Sequence, residues 1–165
     1  GQNGVIFKVQ MGEEINVTNC YATGNSGKSI AGIGWGSSGL MKNVSIVNNT
    51  GTAIAFQGAA YTCQNMTISG NSSPTNGGII DGSWEGASSI SIYDCTIVGN
   101  SSADGQNAMY ISGGTATIDF DNCIYVENGD KDADYGTVVG SFVRNYCIWD
   151  DTRYGEGRFY PLVFI

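Results

Sequence analysis

Ile90-Ser91-Ile92-Tyr93-Asp94-Cys95-Thr96-Ile97-Val98-Gly99-Asn100 alternates apolar and polar residues, and the alternation slips by one place at Asp94. Upstream of Asp94 the apolar residues stand two and four places away, and downstream they stand one and three places away. Side chains of a strand point to opposite faces in steps of two, so a straight strand would turn one of these halves to solvent. A sharp bend at Asp94 keeps both halves on one core. Asn and Asp are the non-glycine residues that most readily take the left-handed backbone conformation such a corner needs.

The same phrase recurs along the chain. It reads Asn19-Cys20-Tyr21-Ala22 with Asn25, Asn43-Val44-Ser45-Ile46 with Asn49, and Asn65-Met66-Thr67-Ile68 with Asn71. It returns as Asn122-Cys123-Ile124-Tyr125 with Asn128, and in weaker form as Asn145-Tyr146-Cys147-Ile148 with Asp151. Steps of roughly two dozen residues, uneven in length, are the mark of a solenoid whose loops vary. Ile15 and Val17, Tyr61 and Cys63, and Ile118 and Phe120 precede their corners in the upstream phase.

The second Asn closes each short strand and opens a loop of Ser, Gly and Asp. A third apolar segment follows at 32–35, 53–56, 78–80, 108–111 and 137–139. Trp35 aligns there with Phe56 as a core residue. Three short strands per circuit and a repeated Asn corner predict an all-β parallel β-helix, a single-stranded β-solenoid of about five to six coils with an Asn corner ladder. The coils cover 4–150 of a single domain, 1–165. The segment 151–165, apolar over 158–165, is either a C-terminal cap or an interface, because a terminal coil otherwise leaves an open strand edge.

Composition narrows the function classes. The 165 residues carry a net charge of −8, with 13% charged and 41% hydrophobic residues. Nucleic-acid binding needs basic patches that displace counterions, so it is not expected. No apolar run approaches the ~18 residues of a membrane-spanning helix. Five cysteines cannot all pair, and no Cys-x-x-Cys pair or histidine occurs. Cys20, Cys95 and Cys123 share one place in the repeat, which points to stacked core thiols rather than disulfides or zinc.

With its Asn ladder the pattern resembles the right-handed parallel β-helix (pectate-lyase-like) superfamily. Asn71 followed by Gly77-Gly78-Ile79 is also similar to the repeats of surface adhesins and phage tailspikes. The resemblance implies right-handedness and an extracellular, cell-surface or virion location. It implies a structural or adhesive module that binds polysaccharide or cell-surface glycan, and either self-associates or belongs to a longer parent chain. The alternative it implies is a carbohydrate-active enzyme, a polysaccharide lyase or glycoside hydrolase, or a fragment of one. The Asn-Thr-Asp and Gly-His-Gly signatures of polygalacturonases are absent, as are the Trp-x-Asp-His and Arg-x-Pro-x-x-Arg of pectate lyases. The scaffold hosts many functions, so the resemblance specifies the fold more than the activity.

Three groups of residues are candidates for chemistry. Asp119 and Asp121 lie two apart on one outward strand face, ~7 Å from each other. Two carboxylates can divide acid and base work on a glycosidic bond, and the repeat places Arg144 and Tyr93 beside Asp121. The plainer reading is a surface Asp121–Arg144 pair. Trp84 between Asp81 and Glu85 suits a sugar face, with carboxylates for its hydroxyls, or else covers the core edge. Asp130, Asp132 and Asp134 alternate in a loop as Ca²⁺ ligands would, or form a solvated acidic loop; no other cofactor is expected. Of the Asn-x-Ser/Thr triplets, Asn71 and Asn100 at loop starts are the expected acceptors in a host that glycosylates.

Overall fold

The computed structural model of the protein describes residues 7–9, 12–34, 36–56, 58–74, 80–81, 88–102, 109–110, 116–128, 133–134 and 141–149. Its strands come in tiers. The first holds β1 (Phe7–Val9), β2 (Glu14–Thr18) and β3 (Tyr21–Thr23), and the second β4 (Ser26–Ile33), β5 (Ser38–Lys42) and β6 (Ser45–Val47). The third has β7 (Thr50–Phe56), β8 (Ala60–Gln64) and β9 (Thr67–Ser69). Longer loops give the next two tiers a fourth strand. These are β10 (Ser72–Ser73), β11 (Ile80–Asp81), β12 (Ser88–Tyr93) and β13 (Thr96–Val98), then β14 (Ser101–Ser102), β15 (Met109–Tyr110), β16 (Ala116–Asp121) and β17 (Ile124–Val126). The last tier has β18 (Ala133–Asp134), β19 (Ser141–Asn145) and β20 (Ile148–Trp149).

Equivalent strands pair in parallel and form three faces: β1-β4-β7-β11-β15-β18, β2-β5-β8-β12-β16-β19 and β3-β6-β9-β13-β17-β20. The result is an all-β parallel β-solenoid of about four turns with Asn ladders. Five to six coils were expected because each corner phrase was counted as a coil. The six tiers amount to about four turns, because in the first tier and in the last three, parts of the circuit lie outside the described residues. The strand expected at 137–139 also lies outside them, and the described strand of that row is β18, so Asp134 stands in a strand rather than a loop. Among the described residues, no helix is long and apolar enough to cross a membrane.

The corner is as the phase slip requires. Asn19, Asn43, Asn65, Asp94 and Asn122 all have φ between 52° and 55°. The last corner differs from expectation: it is Tyr146, φ 51°, while Asn145 ends β19 opposite Asp121. The Asn145 phrase is therefore one residue out of step. Cys147, buried after Tyr146, fills the row of Cys123 and sets the register.

A second left-handed corner follows each three-residue strand, at Gly24, Asn48, Gly70, Gly99 and Glu127. The Asn after it does more than open a loop. Asn49, Asn71, Asn100 and Asn128 are buried polar residues of the core. Each receives, on its Oδ1, the backbone N–H and the amide Nδ2 of its equivalent one tier earlier, at 2.8–3.2 Å. Each also donates Nδ2 to a core-strand carbonyl of the previous tier: Ala22, Ile46, Ile68 and Ile97. Buried amides with every group matched are stabilising, and unmatched ones would be costly. Asn71 and Asn100 are thus core amides, not the exposed glycan acceptors expected from their place at loop starts.

The core is a set of columns, one residue per tier. Ala22, Ile46, Ile68, Ile97 and Tyr125 form one, and Val44, Met66, Cys95, Cys123 and Cys147 another. Each buried Ile contributes about 1.5–3 kcal/mol relative to exposure. Phe120 and Tyr125 meet edge to face at 6.2 Å within one tier. Cys95 and Cys123 stack as free buried thiols, as expected, and Cys147 joins them; Cys20, expected in the same core stack, is free but exposed at the end of the column.

Candidate functional site

The carboxylates expected to act on a polysaccharide lie on β16. Asp119 is in register with Ser91 of β12 and Val143 of β19, and Asp121 with Tyr93 and Asn145. Both are partly exposed on the outward phase. Arg144 was expected beside Asp121. The one-residue slip of the last phrase puts it opposite Phe120 instead, where it is exposed. Asp119 Oδ1 is shielded from solvent and has no hydrogen-bond partner among the described residues, which is unusual for a buried polar atom.

The other candidates are only partly within view. Asp81 ends β11 in register with Ala55 and Tyr110; Trp84 and Glu85 lie outside the described residues. Asp134 ends β18, also in register with Tyr110; Asp130 and Asp132 lie outside the described residues. Asp81 and Asp134 thus flank Tyr110 in one row. Among the described residues no group of three His, Cys, Asp or Glu could hold a metal ion.

A cleft of about 240 Å³ opens elsewhere, along the outer corner of the later tiers. One wall is the corner column itself: Asp94, Asn122 and Tyr146. The other is the outward row beside it, Thr96, Ile124 and Ile148. Cys95 and Cys123 form the floor. Tyr146 is 60% exposed and Ile124 39%, so the cleft presents an aromatic ring and an aliphatic side chain to solvent.

Backbone ties fix these residues. Asp94 N–H donates to Asp121 O at 3.1 Å, and Asn122 N–H to Asn145 O at 3.0 Å. In the floor, the Cys95 and Cys123 thiols donate back across the corner to Tyr93 O at 3.1 Å and Asp121 O at 3.2 Å. The Cys147 thiol draws the pKa of Cys123 down, but the Cys95 thiol and burial outweigh it and leave it at about 12. At neutral pH Cys123 is a thiol, and only a thiolate is a nucleophile.

The corner column is also a ladder, and its polarity is opposite to that of the buried one. Asn43 Nδ2 donates to Asn19 Oδ1 at 2.9 Å, Asn65 Nδ2 to Asn43 Oδ1 at 2.8 Å, and Asn122 Nδ2 to Asp94 Oδ1 at 2.7 Å. Two rungs are missing. A carboxylate carries no N–H, so Asp94 cannot donate to Asn65, and Tyr146 has no amide to offer Asn122. Both departures from Asn fall in the cleft. Asp94 and Asn122 were visible in the repeat as corner residues, but Tyr146 was hidden by the misaligned last phrase.

Comparison with family models, curated proteins and solved structures returns no match for this chain.

Proposed function

We propose that this chain is an extracellular, non-catalytic β-solenoid module, a stiff structural or adhesive element that contacts polysaccharide or cell-surface glycan. The observation that carries this reading is the buried Asn column, which binds each tier to the next from Asn25 to Asn128 by paired backbone and side-chain hydrogen bonds. Such matched polar networks rigidify a core and give it a single arrangement. A stack of this kind holds surface residues at fixed spacing along its length, which is what a spacer or an adhesin requires.

The rival reading is a carbohydrate-active enzyme with Asp119 and Asp121 dividing the acid and base roles. What favours it is the shielded, unpartnered Asp119 oxygen, since buried unmatched groups concentrate at functional sites. One experiment separates the two. Neutral and acidic polysaccharides are incubated with the protein and scored for retention and for new chain ends. Retention without new ends supports the module. New ends that disappear in Asp121→Asn establish the enzyme.

A further inference from the structure

The corner column obeys one rule, Asn in the left-handed conformation donating to the tier before it, and breaks the rule at Asp94 and at Tyr146. Residues that break a local rule without a structural gain are where function concentrates. Asp94 forfeits a rung, and Tyr146 holds a left-handed conformation that disfavours aromatic residues. These two residues and the Asn122 between them form one wall of the 240 Å³ cleft.

We propose that this cleft binds a single neutral hexopyranose residue of a glycan; this rests on the adhesive reading above and gives it a site. The Asp94–Asn122 hydrogen bond, at 2.7 Å, uses one carboxylate oxygen and one amide hydrogen. Among the described residues Asp94 Oδ2 and the second Nδ2 hydrogen of Asn122 are not used by this bond, and offer an acceptor and a donor. A sugar hydroxyl is both donor and acceptor, so it satisfies the two together. The Thr96 hydroxyl, across the cleft, adds a second polar contact. Tyr146 offers a ring for the apolar C–H face of the sugar, and Ile124 and Ile148 extend the apolar surface. The volume lies below the roughly 300–1,000 Å³ of pockets for drug-sized ligands, and suits one ring. A carboxylate in the wall of a protein with net charge −8 disfavours an acidic sugar by like-charge repulsion. Neutral hexoses are therefore preferred over uronates.

The ladder supplies a test in which loss of binding cannot be mistaken for unfolding. Asp94→Asn and Tyr146→Asn each restore the ladder residue, so each leaves the melting temperature unchanged or raises it. The full chain and both variants are titrated by NMR with methyl gluco-, galacto- and mannopyranosides, their neutral oligosaccharides, and oligogalacturonates. Saturable binding of at least one neutral sugar is expected, with the uronates weaker. Each variant should weaken that binding about tenfold or more. Binding of the methyl glycoside places the contact on one ring and supports the proposal; binding only of oligosaccharides overturns the single-ring site. Equal binding by wild type and both variants overturns the site but leaves an adhesive module standing. Absence of binding by the wild type, or uronates binding as well as neutral sugars, overturns the proposal outright.

Discussion

Gly39 occupies an inward place that no other residue can fill. It lies in register between Ile15 of the first tier and Tyr61 of the third, and the Tyr61 hydroxyl passes over it to donate to the Ile15 carbonyl. Its φ is 150°, and a Cβ there would meet the Ile15 carbonyl, with its carbon at 2.9 Å and the Tyr61 oxygen at 3.0 Å. Gly39→Ala should therefore destabilise the fold by about 2–4 kcal/mol in urea unfolding. Tyr61→Phe should lose about 1–2 kcal/mol, the value of a shielded hydrogen bond. Since one contact links the two sites, the double variant should lose less than the sum of the singles. In the buried ladder, Asn71→Asp keeps the shape but removes both amide hydrogens and places a charge where the exposure is 0%. The expected loss is about 3–5 kcal/mol, read from the same unfolding curves.

At the scale of the strand, β8 carries two buried groups whose neutral forms the fold favours. Burial first, and then the charge of Cys63, push the Tyr61 hydroxyl from its ordinary 10.0 to about 12. Burial, with repulsion from Cys123, pushes the Cys63 thiol from 9.0 to about 12. The folded state holds these protons more tightly than the unfolded state. Their contribution is complete below pH 9 and falls as the pH rises from 9 towards 12, with a slope of about 1.4 kcal/mol per pH unit for each fully buried group that titrates. Melting temperatures recorded from pH 7 to 11 should show no loss from these groups below 9 and a steepening loss above it, reduced in Cys63→Ala. The strands themselves were legible because period-two alternation and its slip at Asn survive in single sequence. The second corner was less so: Gly24, Asn48, Gly70, Gly99 and Glu127 share a backbone conformation, but only three of the five are glycine. Nor was the Tyr146 corner, since Asn145 stands one place before it and only pairing with the neighbouring tier distinguishes them.

Over the whole molecule each tier touches chiefly the tiers beside it, so stability is a sum of tier and interface terms and is lowest at the ends. Hydrogen exchange should be slowest in β8 and β12, which pair on both sides, and fastest in β3 and β20, which pair on one described side. Uniform protection along the stack would contradict this picture. The cleft was not legible from sequence because it belongs to no stretch of chain: it exists only where three phrases stack, and one of those was out of step.

The two amide columns run in opposite directions, the buried one donating towards later tiers and the exposed one towards earlier tiers. In an α-helix the peptide dipoles add, and partial charge gathers at both ends. Where both corners of a tier carry Asn, the two side-chain dipoles oppose each other. Duplicating or deleting such a tier therefore leaves the polarisation carried by these columns almost unchanged, and the rod can be lengthened in evolution or by design without charging its ends.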